Sequence, residues 1–251
     1  MTTVRSQFTR GIFTDLARLP VRLADLCYPR DCVACGMPAG ENYRWLCEAC
    51  AEKLPFTRAE RCCETCGKPF EGAMAVSRRC PECEELKPCW TRGKTLLFYD
   101  GPGADVVRHL KYNGEKCLLD DIRAILRARQ DVLDMLRGTI LVPVPLHSGR
   151  LRERGYNQSE WLAELFAETS GASCQNLLKR LRDTGTQTAL GREERRKNVR
   201  GAFALRGKVY PEQTYVLVDD VITTGATLNA CALVLHKAGA KEQAVLTLAH
   251  A

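Results

Sequence analysis

The distribution of cysteine is the feature that most constrains how this chain can fold. Eleven of its 14 cysteines lie between Cys27 and Cys89, and only three lie beyond that stretch. The first 30 residues do not read as a secretory signal, because charged residues and Pro20 interrupt their apolar positions. Disulfides need an oxidising compartment, so we expect the cysteines to bind metal instead.

Two sets of paired cysteines have the spacing of zinc sites. Each set has two CxxC pairs, separated by eleven residues in the first set and by thirteen in the second. Four thiolates suit tetrahedral Zn²⁺, and a closed shell of this kind is structural. The predicted ligands are Cys32, Cys35, Cys47 and Cys50 in the first set and Cys63, Cys66, Cys80 and Cys83 in the second. An iron–sulfur cluster and unligated buried cysteines are the alternatives, and Cys62 makes the second ligand set ambiguous, so we expect one or two zinc ions.

Composition and length exclude further classes of protein. The chain has 251 residues, and 27% charged with 45% hydrophobic residues is typical of a globular protein rather than a disordered one. No apolar run approaches the roughly 18–20 residues that a membrane span needs. We therefore expect a cytoplasmic protein without membrane insertion. The formal net charge of +7 is a modest excess and only weakly indicates an acidic partner such as nucleic acid.

The sequence pattern changes near residue 92, where the cysteine-rich part ends. We expect an N-terminal helix and double zinc ribbon over residues 1–92 and a second domain over residues 93–251. In the second part, strand patterns occur at 95–99, 140–144, 177–181, 214–218 and 244–249, and helix patterns at 104–112, 117–137, 157–170 and 224–238. Strands that alternate with helices predict an α/β fold, a mostly parallel sheet with helices on both faces. A ligand would lie at the carboxyl ends of the strands.

The segment 215–227 (YVLVDDVITTGAT) carries the most informative functional pattern. An apolar strand runs into the carboxylates Asp219 and Asp220, and a short loop then opens a helix. Unpaired N–H groups at the start of a helix bind phosphate, and the carboxylates can accept hydrogen bonds from sugar hydroxyls or help to hold Mg²⁺. The predicted phosphate contacts are Thr223, Thr224, Gly225, Ala226 and Thr227. The spacing is neither that of a Walker loop nor that of a Rossmann glycine motif.

This segment resembles the phosphoribosyl-pyrophosphate (PRPP) loop of type I phosphoribosyltransferases. Two further segments, 142–158 (VPVPLHSGRLRERGYNQ) and 182–203 (RDTGTQTALGREERRKNVRGAF), together with the cysteine pairs resemble the ComF family of competence-associated proteins. The resemblance spans nearly the whole chain. It implies a zinc-ribbon-like N-terminus, a type I phosphoribosyltransferase-like domain, and a role in natural transformation, the uptake of single-stranded DNA into the cytoplasm.

The resemblance also implies roles for individual residues. Asp219 and Asp220 would hold the ribose hydroxyls of PRPP, residues 223–227 would hold its 5′-phosphate, and Mg²⁺ would accompany it. The loop after the strand at 140–144 would bind the pyrophosphate through guanidinium groups, which fit phosphate oxygens. The residues implied there are Arg150, Arg152, Arg154 and Gly155. A mobile loop with Gln187, Arg195 and Asn198 would close over the ligand.

Two functions from different classes remain open at this point. An active phosphoribosyltransferase would join the ribose phosphate to a base or amine acceptor, but no residue identifies the acceptor or a catalytic base. A binding protein would hold PRPP, or the 5′-phosphate and ribose of a nucleic acid, without turnover, with single-stranded DNA and DNA-uptake proteins as partners. Lys111 is either a phosphate contact or a lysine at a helix end. His147 is either an acid–base group or a histidine that only hydrogen-bonds.

Overall fold

The computed structural model of the protein describes residues 30–57, 61–70, 79–183 and 192–251. The strands in this part are β1 (Arg92–Phe98), β2 (Ile140–Pro143), β3 (Ser173–Cys174), β4 (Leu178–Arg180), β5 (Phe203–Leu205), β6 (Thr214–Ile222) and β7 (Glu242–His250). The α-helices are α1 (Glu48–Glu52), α2 (Pro81–Leu86), α3 (Gly101–Arg108), α4 (Leu119–Arg127), α5 (Gln130–Leu136), α6 (Ser148–Arg154), α7 (Gln158–Ser170), α8 (Arg192–Val199) and α9 (Ala226–Lys237). A π-helical turn, His109–Asn113, extends α3, and a 3₁₀ turn, Lys116–Leu118, precedes α4.

Five strands form one parallel sheet in the order β1, β7, β6, β2, β3. Alternate residues of a strand point to opposite faces. Val216 and Val218 of β6 therefore join a core with α3, α4, α5 and α7, whereas Tyr215 and Leu217 join a second core with α9. The predicted α/β sheet with helices on both faces is confirmed.

The sheet has a switch point between β2 and β6. These neighbours run parallel, with Ile140 opposite Tyr215 and Pro143 opposite Val218. The chain leaves β2 towards β3 on one side of this pair, and it leaves β6 towards β7 on the other side. Open α/β sheets bind ligands outside the carboxyl ends of the strands at such a point.

The two cysteine tetrads pack against opposite faces of the sheet. Cys32 of the first tetrad lies in the core of α4 and α7, and the whole second tetrad lies with Trp90 in the core of α9. Asp121 of α4 accepts the backbone N–H groups of Arg44 at 2.6 Å and Trp45 at 2.9 Å. Trp90 Nε1 donates to the carbonyl of Thr65 at 2.5 Å. The cysteine-rich segments thus share the cores of the sheet, and the domain boundary at residue 92 stays a prediction.

Three details differ from the sequence prediction. The single helix expected over 117–137 is two helices, α4 and α5, because the backbone leaves the helical conformation at Arg129 and its guanidinium donates to Thr57 Oγ1 at 2.9 Å. The strand expected at 177–181 is β4, which pairs antiparallel with β5 outside the parallel sheet. The very short strands β3 and β5 were not predicted. No helix within the described ranges has the length and hydropathy to cross a bilayer.

Candidate ligand pocket and metal sites

Both predicted cysteine tetrads are assembled in the structure. In each, the four Sγ atoms lie within 4.8 Å of one another, and Cys62 belongs to neither. The Sγ atoms of Cys35 and Cys47 are 3.6 Å apart, as are those of Cys66 and Cys80. A tetrahedral zinc with Zn–S bonds of about 2.3 Å requires sulfurs about 3.8 Å apart. The donor sets therefore fit structural Zn²⁺.

The backbone around the second tetrad also fits a set of metal thiolates. The N–H of Cys80 points at Cys63 Sγ at 3.2 Å, and the N–H of Lys68 points at Cys66 Sγ at 3.4 Å. Gly67 has a φ of +78°, and a Cβ there would come within 2.8 Å of the backbone N of Thr95. Glycine is thus required where the turn after Cys66 approaches β1.

The second tetrad borders the predicted phosphate loop. A small cavity is lined by its residues Cys66, Cys80 and Cys83, by Leu86 and Trp90, and by Ile222, Thr223, Thr224, Gly225 and His250. A Cβ on Gly225 would come within 3.2 Å of Leu86 and 3.4 Å of Trp90. Cys66 Sγ lies 3.9 Å from His250 Nε2, and burial lowers the pKa of His250 to about 4. This juxtaposition had no signal in the sequence.

The acidic doublet lies within the last part of β6, at the switch point of the sheet. Asp220 is buried, and its Oδ2 accepts from Gln158 Nε2 at 2.9 Å and lies 3.2 Å from Lys111 Nζ. Ser159 Oγ donates to Asp219 Oδ1 at 2.8 Å. The start of α7 and the end of the π-helical turn thus hold both carboxylates in place.

The charges of the doublet are strongly coupled. Burial and the neighbouring charge of Asp220 raise the pKa of Asp219 to about 7. Burial alone would lower the pKa of Lys111, but the charges of Asp220 and Asp219 outweigh it and raise that pKa. The site holds two carboxylates and one ammonium, so a divalent cation or hydroxyl donors would complement its excess of negative charge.

The phosphate loop differs slightly from its predicted form. Helix α9 begins at Ala226 instead of at residue 224, because Gly225 adopts a left-handed conformation with a φ of +70°. Thr224 Oγ1 accepts from the N–H of Ala226 at 3.4 Å. Thr223 is exposed and Thr227 is half-buried. The first N–H groups of the twelve-residue helix α9 therefore face the same edge of the sheet as the doublet.

The predicted pyrophosphate loop is the short helix α6, which corrects the expectation of a loop. His147 caps it by accepting the N–H of Gly149 on Nδ1 at 3.3 Å, and Gly155 ends it with a φ of +83°. The three arginines of α6, Arg150, Arg152 and Arg154, have different environments. Arg150 Nε lies 3.5 Å from Asp183, Arg154 donates to Gln158 Oε1 at 2.8 Å, and Arg152 is exposed.

The predicted mobile loop falls partly outside the described residues, which exclude Gln187. Its second half is not a loop, because Arg195 and Asn198 lie on α8. Asn198 is half-buried on that helix. The closing motion that the resemblance implies stays a prediction.

Sequence reasoning missed three residues of the site. Gln158 and Ser159 hold the doublet, and Gln158 ends the segment that carries the family resemblance, which was the available signal. Arg180 of β4 is half-buried, and its burial lowers its pKa, while the charges of Asp219 and Asp183 act in the opposite direction. A single arginine in a three-residue strand carries no sequence signal.

Comparison with known proteins supports the two metal sites. A family profile described as a double zinc ribbon domain matches residues 23–84. The chain is 32% identical over 222 residues to "DNA utilization protein YhgH" of Salmonella typhimurium, which covers 86% of this chain and 94% of that protein. It is 28% identical over 213 residues to "Competence protein F" of Haemophilus influenzae, which covers 82% of this chain and 90% of that protein. It is 26% identical over 208 residues to "Competence protein ComFC" of Streptococcus pneumoniae, which covers 80% of this chain and 84% of that protein.

Proposed function

Because this chain belongs to the ComF family of competence-associated proteins, we propose that it binds PRPP with Mg²⁺ and acts in DNA uptake, with single-stranded DNA and DNA-uptake proteins as its partners. The names of its relatives support the competence and DNA-utilization part of this proposal. On this proposal the protein works in the cytoplasm, where imported single strands arrive.

The observation that carries the proposal is the position of the acidic doublet. Asp219 and Asp220 lie at the carboxyl end of a central strand, at the switch point, and one loop away from the N-terminus of α9. The ribose hydroxyls of PRPP would bind the carboxylates, and its 5′-phosphate would bind the N–H groups and hydroxyls of residues 223–227.

Cations around the doublet support binding of the pyrophosphate. Lys111 contacts Asp220 directly, Arg180 lies close enough for its charge to interact with Asp219, and Arg150 lies close enough to interact with Arg180. Guanidinium groups bind phosphate oxygens through two parallel hydrogen bonds. Asp219 and Asp220 would hold Mg²⁺, which would supply positive charge to the pyrophosphate, since this ion prefers a few carboxylates together with substrate phosphates.

The proposal is tested by calorimetric titration of PRPP and Mg²⁺ into the zinc-loaded protein. We expect one PRPP bound per chain and loss of binding when Asp219→Ala and Asp220→Ala are combined. Asp100→Ala is a matched control, because that carboxylate is exposed at the start of α3. Unchanged PRPP affinity in the double variant would overturn the assignment of the pocket.

An active phosphoribosyltransferase is the second candidate. It is favoured by the pair of carboxylates beside Lys111 at the switch point, because negative charge there would stabilise a ribose carbon that becomes positive as pyrophosphate leaves. Release of pyrophosphate from PRPP across a panel of nucleobases and amines separates the two functions. Turnover with any acceptor would establish the enzyme, and tight PRPP binding without turnover would establish the binding protein.

A further inference from the structure

A ladder of aromatic and cationic side chains lies beside the acidic doublet. The rings of Tyr156 and Trp161 are stacked, with centroids 4.4 Å apart and planes 10° apart. The guanidinium carbon of Arg154 lies 5.8 Å from the centroid of Tyr156 and 5.7 Å from that of Tyr112. Lys116 Nζ lies 5.5 Å from the centroid of Trp161. We call these five side chains the aromatic ladder.

The backbone holds the aromatic ladder in a defined geometry. Tyr156 donates its hydroxyl to the carbonyl of Lys111 at 2.9 Å, which fixes the ring against the π-helical turn. Gly114 has a φ of +67°, and a Cβ there would lie only 2.8 Å from the Tyr156 ring. The turn can approach the ring this closely only with glycine at position 114. The aromatic ladder is therefore preorganised, which lowers the entropic cost of binding a partner.

The two ends of the aromatic ladder are open to solvent. Tyr112 at one end is 58% exposed, and Lys116 at the other end is exposed as well. The nearby acid Glu115 is engaged by His109 Nδ1 at 2.8 Å. An exposed aromatic ring among cations is the surface that single-stranded nucleic acid requires, because bases stack on the ring while phosphates meet the cations.

The aromatic ladder is joined directly to the doublet. Arg154 donates to Gln158, and Gln158 donates to Asp220. Lys111, which contacts Asp220, precedes Tyr112 in the chain and has its Nζ 5.9 Å from the Tyr112 centroid. A strand of nucleic acid that stacks on Tyr112 would thus lie at the rim of the pocket.

We propose that the aromatic ladder is the surface on which this protein stacks the bases of single-stranded DNA. Tyr112 forms the stacking face, Arg154 and Lys116 meet the phosphates, and the Tyr156–Trp161 pair keeps the face rigid. Stacking tolerates any base, so binding is independent of sequence. The inference rests on the proposed function for the choice of DNA as partner, while the surface is argued from its own contacts.

The test is fluorescence anisotropy with labelled single-stranded DNA of about 15 nucleotides, a length that covers one binding site of this kind. It uses zinc-loaded protein without PRPP. We expect Tyr112→Ala to weaken binding about 5- to 100-fold, the range for loss of one stacked base, and Tyr112→Phe to retain it. Because tyrosine carries no charge, the dependence of affinity on salt should keep its slope in Tyr112→Ala and become shallower in Lys116→Ala.

Tyr210→Ala is the matched control. Tyr210 is 51% exposed, lies before the N-terminal end of β6, and makes its hydrogen bonds to Tyr215 through its backbone. Equal affinities of wild type and Tyr112→Ala would overturn the inference, and so would equally effective competition by duplex DNA. PRPP titration without DNA separates the two proposals. Single-stranded DNA binding that is equal in wild type and Tyr112→Ala refutes the ladder alone, whereas a wild type that binds PRPP but no single strand also refutes DNA as the partner. A wild type that binds single strands but no PRPP refutes the pocket alone.

Discussion

Replacement of Asp219 by asparagine should stabilise the ligand-free protein, and the gain should depend on pH. In the unfolded chain an aspartate ionises with its ordinary pKa of 3.8, whereas burial and Asp220 raise the pKa of Asp219 to about 7 in the folded protein. Between these values the unfolded state releases a proton that the folded state keeps, so folding stability falls as pH rises. Above pH 7 the penalty is complete and amounts to about 4 kcal/mol.

Asparagine removes this penalty and keeps the local hydrogen bonds. Its amide oxygen can still accept from Ser159 Oγ and from the N–H of Asp220, which lie 2.8 and 2.9 Å from Oδ1 in the wild type. The assay is urea unfolding of zinc-loaded wild type and Asp219→Asn across this range. From about pH 5.5 to about pH 8 we expect the advantage of the variant to grow by about 2 kcal/mol.

Asp100→Asn controls for the loss of a carboxylate as such, because Asp100 is exposed. Its stability relative to wild type should not follow the same pH trend. A difference between Asp219→Asn and wild type that stays constant with pH, or shrinks towards pH 8, would refute the electrostatic account of the doublet. The expected pattern also implies that the wild-type protein sacrifices stability for a charged pocket, as functional sites commonly do.

Three further predictions concern the phosphate loop, the metal sites and the anchoring of the first cysteine-rich segment. Gly225→Ala should lower the free energy of unfolding by about 1 kcal/mol or more and weaken PRPP binding, because φ is +70° at this position and Leu86 lies close to it. Urea unfolding and calorimetry check this, and unchanged stability and PRPP affinity would contradict it. Wild type should contain two zinc ions per chain by elemental analysis. Cys80→Ser should lose one ion and also lose PRPP affinity, because the second tetrad borders the phosphate loop. Cys47→Ser should lose one ion and keep more of its PRPP affinity, because the first tetrad does not border that loop. Asp121→Ala should cost about 2–3 kcal/mol in urea unfolding because two N–H groups lose their acceptor, and a loss below about 0.5 kcal/mol would contradict this anchoring role.

The metal sites and the sheet could be predicted well from the sequence because their signals are local. A CxxC pair places two sulfurs on one ion through its own backbone geometry. The apolar run of 214–218 and the helix pattern at 224–238 correspond to β6 and α9 of the structure. Sequence patterns of this kind reflect the burial of alternate residues and the residue types of turns, which can be recognised within a short segment.

The parts that could not be predicted depend on contacts between distant segments. The backbone leaves the helical conformation at Arg129, whose guanidinium donates to Thr57, and no local pattern indicates that partner. Helix α6 was expected to be a loop because the segment SGRLRER has a single strongly apolar residue and thus no helical periodicity. The approach of the second tetrad to Gly225 is set by how Leu86 and Trp90 pack against the sheet. These tertiary contacts decide the shape of the pocket.

The most direct test of the central claim is an experimental structure of the zinc-loaded protein with PRPP and Mg²⁺. The account predicts the 5′-phosphate at the N-terminus of α9, within hydrogen-bond distance of residues 223–227, and the ribose hydroxyls on Asp219 and Asp220. PRPP bound elsewhere on the chain, or a pocket that stays empty at saturating PRPP and Mg²⁺, would contradict it.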